Sequence, residues 1–156
     1  MELGAGVGVC GIIVASYLAS DVTMSDCDSE ILDLISRNID RNIANMSVRP
    51  KVKRLDWNDE GDSEKFDVII ASDCIFKSTA APFLSAIYRH LNADGELFLI
   101  NPPETCRPGV DGVIYALQEL GDVAMKVIQI TMMGLYQKEL ILVHLTGYSA
   151  AVLDEA

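Results

Sequence analysis

A chain of 156 residues, half of them apolar and 22% charged, is long and apolar enough for one globular domain with its own core, which excludes a disordered chain. The formal charge of −11 leaves no basic stripe for a nucleic-acid backbone, the densest basic cluster being Lys51, Lys53 and Arg54, and no apolar run is long enough for a membrane span. Cys10, Cys27, Cys74 and Cys106 lack metal-ligand spacing, which predicts no metal site and the reduced thiols of a cytoplasmic or nuclear protein.

The chain starts on Glu2-Leu3 and runs into glycines at alternate positions, Gly4, Gly6 and Gly8. Glycine reaches positive φ cheaply and has no Cβ to hold a ligand away. Val9 to Ala19 follows as the first helix, so strand end, glycine turn and helix start form the ligand cradle of an open α/β sheet. The apolar stretch Val7 to Ser20 imitates a signal peptide, but Glu2 precedes it and no Lys or Arg does.

Val22 to Ser25 reads as a short strand ending at Asp26, and Ser29 as the cap of a helix whose Ile31, Leu32, Ile35, Ile39 and Ile43 keep helical spacing. Lys51 to Leu55 is a strand of edge character. Asp56 to Glu64 is an acidic loop holding the only tryptophan, Trp57. Phe66 to Ala71 has the continuous apolar character of a buried parallel strand. Ser78 or Thr79 then caps a helix reaching about Leu91, Asn92 to Gly95 is a turn, and Glu96 to Ile100 is a second buried strand. A short helix is expected over Val113–Leu120. Strands are expected over Val123–Thr131 and Lys138–Leu145, with a hairpin connection at Met132–Gln137. No clear element is predicted from Thr146 onward.

Alternating strands and helices imply a Rossmann-like α/β fold: a mostly parallel twisted sheet with helices on both faces. The last two strands are joined without a helix and must be antiparallel.

The candidate chemistry sits at the strand ends. Counting from Gly4, a pyrophosphate fingerprint would need glycine at position 9, where this chain has Val9. Asp26 closes the second strand, where a carboxylate can accept ribose hydroxyls; Asp28 competes for that role but sits as a helix cap would. Asp56-Trp57 lies just past the third strand, an acceptor for an amino group beside a ring that can cover a base, or a Trp packed over a helix. Asp73 stands at the mouth of the fourth strand with Phe76 three residues on; its plain structural alternative is a cap on the following helix. Asn101-Pro102-Pro103 reads as a strand-terminating turn, and His90 and His144 as packing residues.

In order, Glu2-Leu3-Gly4-Ala5-Gly6-Val7-Gly8, Ser25-Asp26, Asn38 with Asn42, Leu55-Asp56-Trp57 and Asp73-x-x-Phe76 resemble the seven-β-strand protein-lysine methyltransferases of class I. The resemblance covers about residues 1–145 as one methyltransferase domain and leaves 146–156 as a tail. It implies S-adenosyl-L-methionine as cofactor, bound at Glu2, Gly4, Ala5, Gly6, Gly8, Asp26, Asp56, Trp57 and Ser72, and a lysine of a protein substrate as acceptor. It further implies that Asp73 orients the acceptor amine and Phe76 shapes its channel. Members of that group carry a substantial region ahead of the first motif, so the resemblance also implies an N-terminally truncated chain with a shortened central strand. A non-catalytic remnant serving as an interaction module, and a methyltransferase for arginine or a small molecule, stay open beside this reading.

Overall fold

A computed structural model describes residues 1–18, 21–132 and 136–148. Seven strands among these residues form one sheet: β1 (Glu2–Leu3), β2 (Thr23–Asp26), β3 (Lys51–Arg54), β4 (Phe66–Ser72), β5 (Leu91–Asn101), β6 (Asp122–Met132) and β7 (Tyr136–Thr146). Their spatial order is β3-β2-β1-β4-β5-β7-β6. The first five run parallel, and β7 lies antiparallel between β5 and β6. The helices are α1 (Val9–Tyr17), α2 (Ser29–Asn42), α3 (Ala80–His90) and α4 (Val110–Gln118).

Side chains alternate across each strand, so the sheet divides the core in two. On one face Ala15 of α1 and Ile35 and Ile39 of α2 pack on Val22 and Met24. On the other, Phe83 and Ile87 of α3 and Val113 and Leu117 of α4 close over Leu3, Ile69, Leu97 and Leu99. Strand β1 shows the alternation at its smallest: Leu3 faces α3, and Glu2 faces α1. The β1 ladder extends back to Met1, whose N–H side bonds Val68 O (2.7 Å) and whose carbonyl accepts from Ile70 N (2.9 Å).

Glu2 is 3% exposed, and its Oε2 accepts from Gly11 N at 3.0 Å. Burial, opposed by the Gly11 bond, pushes this carboxyl up to about 7 from an ordinary 4.5. A raised folded pKa means that the unfolded chain loses this proton first as pH rises. The contribution is fully present below about pH 4.5 and is lost as pH climbs through 7. Relative to Glu2→Gln, which keeps the acceptor but cannot titrate, the wild-type chain is expected to lose on the order of 3 kcal/mol of stability between pH 5 and 8. Urea melts of both at the two pH values measure it; parallel curves would contradict the burial account.

Several element boundaries depart from the sequence reading. Asp28, extended at ψ 123°, is the N-cap of α2 and accepts from Glu30 N at 2.8 Å, so Ser29 is the first helical residue rather than the cap. The first helix ends at Tyr17; the expected terminus at Ala19 lies outside the described residues. Helix α4 begins three residues before Val113, because the Glu104 carboxylate accepts from Gly109 N (2.9 Å) and Asp111 N (3.0 Å) and caps it from a distance. The expected turn at Asn92–Gly95 is instead a bulge within β5, where Phe66 pairs with Leu91 but Val68 already pairs with Glu96, and Asp94 takes φ 61°. Past Leu145, β7 includes Thr146, and Tyr148 is buried in the larger cluster. Of the expected hairpin connection, residues 133–135 lie outside the described residues, as does 149–156 of the expected tail.

Candidate active site

At the carboxyl ends of β1 to β4 a cavity of about 420 Å³ opens beside the start of α3. Its lining includes Gly4, Asp26, Asp56, Trp57, Asp73 and Phe76, six of the residues named from sequence. Glu2, Ala5, Gly6, Gly8 and Ser72 do not line it. Glu2 faces Gly11, Ala5 is buried with its N–H on Ser25 O (2.8 Å), and Gly8 caps α1 in the left-handed conformation.

The glycine turn is built for close approach. Gly4 has φ +63°, and a Cβ there would stand 3.1 Å from the Cys74 Cβ and 3.2 Å from Trp57 Cζ2. Gly6 has φ +54° with nothing within 4 Å of a Cβ, so only its backbone demands glycine. Gly6 N donates to Asp26 Oδ2 at 3.0 Å, and Asp26 Oδ1 accepts from Asp28 N at 3.2 Å. One carboxylate therefore ties the glycine turn to the end of β2 and keeps lone pairs to spare. Asn38 of α2 adds a second tie, its Nδ2 donating to Val7 O at 2.9 Å.

Across the cavity, Asp56 Oδ1 accepts from Asn58 N (3.0 Å) and Asn58 Nδ2 (2.9 Å), bonds that hold this carboxyl below its usual range. Trp57 meets Phe83 of α3 edge-on, with ring centroids 5.4 Å apart, and its carbonyl accepts from Arg89 Nη2 at 2.8 Å. The indole thus packs over a helix, as one of the two sequence alternatives had it, and also lines the cavity.

Asp73 follows β4 in a left-handed backbone, φ 49°, uncommon for a residue with a Cβ. It caps nothing. The cap position of α3 belongs to Thr79, whose hydroxyl turns back to accept from Phe76 N (2.8 Å) and lies 3.1 Å from Cys74 O. Asn101, buried at the end of β5, receives Ile75 N on Oδ1 at 3.3 Å. The strand-terminating Asn-Pro-Pro turn therefore also clamps the Asp73–Phe76 loop from beneath. The Asp73 carboxylate instead meets Arg107, from the loop between β5 and α4, in two parallel bonds: Nε to Oδ1 at 2.8 Å and Nη2 to Oδ2 at 3.2 Å. The same guanidinium lies 5.0 Å from the Phe76 ring centroid. Sequence reasoning missed Arg107, since nothing local marks a basic residue 34 positions away as a partner.

The charge pattern is one-sided. Asp26, Asp56 and Asp73 line the cavity, and among the described residues no Lys or Arg does. Cys74 is pushed up to about 12 by burial and Cys27 is raised by burial and by Asp26, so both lining thiols stay protonated and poorly nucleophilic. A cavity of this kind favours a cationic ligand with hydroxyl or amino groups for the carboxylates and a flat ring for Trp57.

The chain is 40% identical over 81 residues to a calmodulin-lysine N-methyltransferase of Arabidopsis thaliana, covering 49% of this chain and 27% of that protein. It is 31% identical over 103 residues to the protein N-lysine methyltransferase METTL21A of Xenopus tropicalis, covering 65% of this chain and 47% of that one. The chain thus spans between about a quarter and a half of the length of these relatives. In fold it resembles the magnesium protoporphyrin IX methyltransferase of Synechocystis PCC 6803, solved with bound S-adenosylmethionine, with a TM-score of 0.69 at 18% identity over 93% of this chain and 68% of the other. Residues 1–102 match the family described as lysine methyltransferase, and the chain belongs to that family.

Proposed function

We propose that this protein transfers a methyl group from S-adenosyl-L-methionine to a lysine amine of a protein substrate. The observation that carries the reading is the acidic cavity at the strand ends, lined by Gly4 of the glycine turn, Asp26, Asp56 and Trp57 together with Asp73 and Phe76. The residues fit that cofactor. Asp26 has acceptor capacity left for ribose hydroxyls, Asp56 for an amino group, and Trp57 offers a ring face. Gly4 presents bare backbone to the cavity, with Glu2 in the strand before it, Ala5 buried after it and Ser72 at the end of the adjacent strand. The bound cofactor supplies an electrophilic methyl group on a cationic sulfur, and the Asp26 and Asp56 carboxylates, which line the cavity outside any ion pair among the described residues, complement that charge.

The chain's own residues then act on the acceptor. Asp73 orients the amine, Phe76 walls the apolar slot that desolvates it, and the fixed loop between them holds the lone pair in line. Unpaired thiols at all four cysteines suit a reducing compartment, the cytoplasm or nucleus. Among the described residues no helix is long and apolar enough to cross a membrane.

Calorimetric titration with S-adenosylhomocysteine tests the cofactor half. Binding is expected, and Asp26→Ala should weaken it about 10- to 100-fold through lost charge-assisted hydrogen bonds. Absence of binding by the folded chain would sink the proposal. Labelled cofactor with calmodulin and with a whole-protein extract tests the acceptor half, and label confined to arginine or to small metabolites would replace lysine in it.

A further inference from the structure

Methyl transfer needs an amine with a free lone pair, so a lysine must enter the acceptor slot without its proton. A lone carboxylate beside the slot works against this, because an opposite charge stabilises the ammonium. Asp73 is not alone. Arg107 meets it through two bonds of 2.8 and 3.2 Å and also covers the Phe76 ring. Both members of the pair are partly solvent-exposed, and exposed ion pairs contribute little to stability. The loop carrying Arg107 is nevertheless firmly placed: Arg107 N donates to Pro103 O at 2.9 Å, and Glu104 anchors the far end on Gly109 and Asp111. Arg107 does not itself line the cavity, but it is in contact with the carboxylate and the ring that do.

Resting on the reading of Asp73 and Phe76 as the acceptor pair, we propose that Arg107 sets the protonation state of the incoming amine. Its permanent positive charge cancels the pull of Asp73 on an ammonium, so the amine enters neutral and its proton leaves to solvent. The remaining charge on Asp73 is enough to orient an N–H. Other titratable groups near the pair are Cys74 on the same loop, Lys77 next to Phe76, Glu104 and Cys106 on the Arg107 loop, and Asp26 and Asp56 across the cavity. None of these is hydrogen-bonded to the Asp73 carboxylate, and Cys74 stays protonated through the range tested below.

The test uses n-butylamine, a mimic of the lysine side chain, titrated into the full chain at pH 7, 8 and 9 and followed by NMR at Phe76 and at the Trp57 indole. Wild-type affinity is expected to rise roughly tenfold per pH unit, tracking the neutral amine. Arg107→Gln should bind about tenfold more tightly than wild type at pH 7 and vary less than about threefold across the series, since an uncancelled carboxylate accepts the ammonium. Arg107→Lys keeps the charge and should follow wild type. Identical pH dependence in wild type and Arg107→Gln would overturn the proposal, as would amine binding to none of the three. S-Adenosylhomocysteine binding on the same samples is a separate readout, so failure of the cofactor assignment is distinguishable from failure of the role given to Arg107.

Discussion

Asp73→Asn is expected to lower methyl transfer to the acceptor about 10²- to 10³-fold while leaving S-adenosylhomocysteine affinity within about threefold, the pattern of a group that aligns the acceptor rather than holding the cofactor. Asparagine is the informative replacement because Asp73 sits at φ 49°, and Asn is among the few residues that tolerate the left-handed region. The loop is also held by groups that the substitution does not touch: Asp73 N on Ile100 O, Ile75 N on Asn101 and Phe76 N on Thr79. A loss of activity in Asp73→Asn therefore reports the carboxylate itself. Asp73→Ala adds backbone strain of about 1–2 kcal/mol and should be less stable as well as inactive. Single-turnover rates with labelled cofactor, paired with calorimetric affinities, separate the effects. Activity equal to wild type in Asp73→Asn would remove Asp73 from the mechanism.

The second large effect is expected at Gly4. An alanine there meets two penalties together: a positive φ worth about 1–2 kcal/mol and a Cβ in a gap already tight on both sides. Neither neighbour yields easily. Cys74 Cβ moves only with its backbone, and Trp57 is wedged against Phe83 with its carbonyl on Arg89. Gly4→Ala should cost about 2–4 kcal/mol in a denaturant melt and weaken S-adenosylhomocysteine binding by more than about tenfold, because relief comes only from displacing the cavity wall. Gly6→Ala is the control. It has the same hand of φ but open space around the Cβ, so the strain term alone should remain, about 1–2 kcal/mol. Equal destabilisation of the two variants would refute the steric half of this account.

What could be read from the sequence was what local chemistry marks. The glycine turn, Asp26 at a strand end, the apolar run of β4 and the acid and aromatic three apart each follow from a few adjacent residues, and the cavity gathers Gly4, Asp26, Asp73 and Phe76 from them. The edge position of β3 and the antiparallel closing pair followed in the same way from patterning and connection length. The misses arise where a distant group decides. Helix α4 starts early because Glu104 reaches forward to its N–H groups, and a window centred on Val113 has no sight of that. Asn92 to Gly95 has turn chemistry and does bend, but the neighbouring β4 keeps both sides in one strand. Arg107 finds Asp73 only after β5 and its following loop have been laid beside β4, and Glu2 turns to α1 only because pleating sends Leu3 the other way.

The position of β7 bears on how the molecule is made. The last of the described strands fills the space between β5 and β6, so along the sheet β6 is joined only through a neighbour that the ribosome delivers later. Until then β5 offers a row of unpaired backbone groups, and the cavity at the other end of the sheet can already be assembled. Biosynthesis should therefore pass through a species with a formed ligand cradle and an open, apolar sheet edge, a natural client for a chaperone that shields strands.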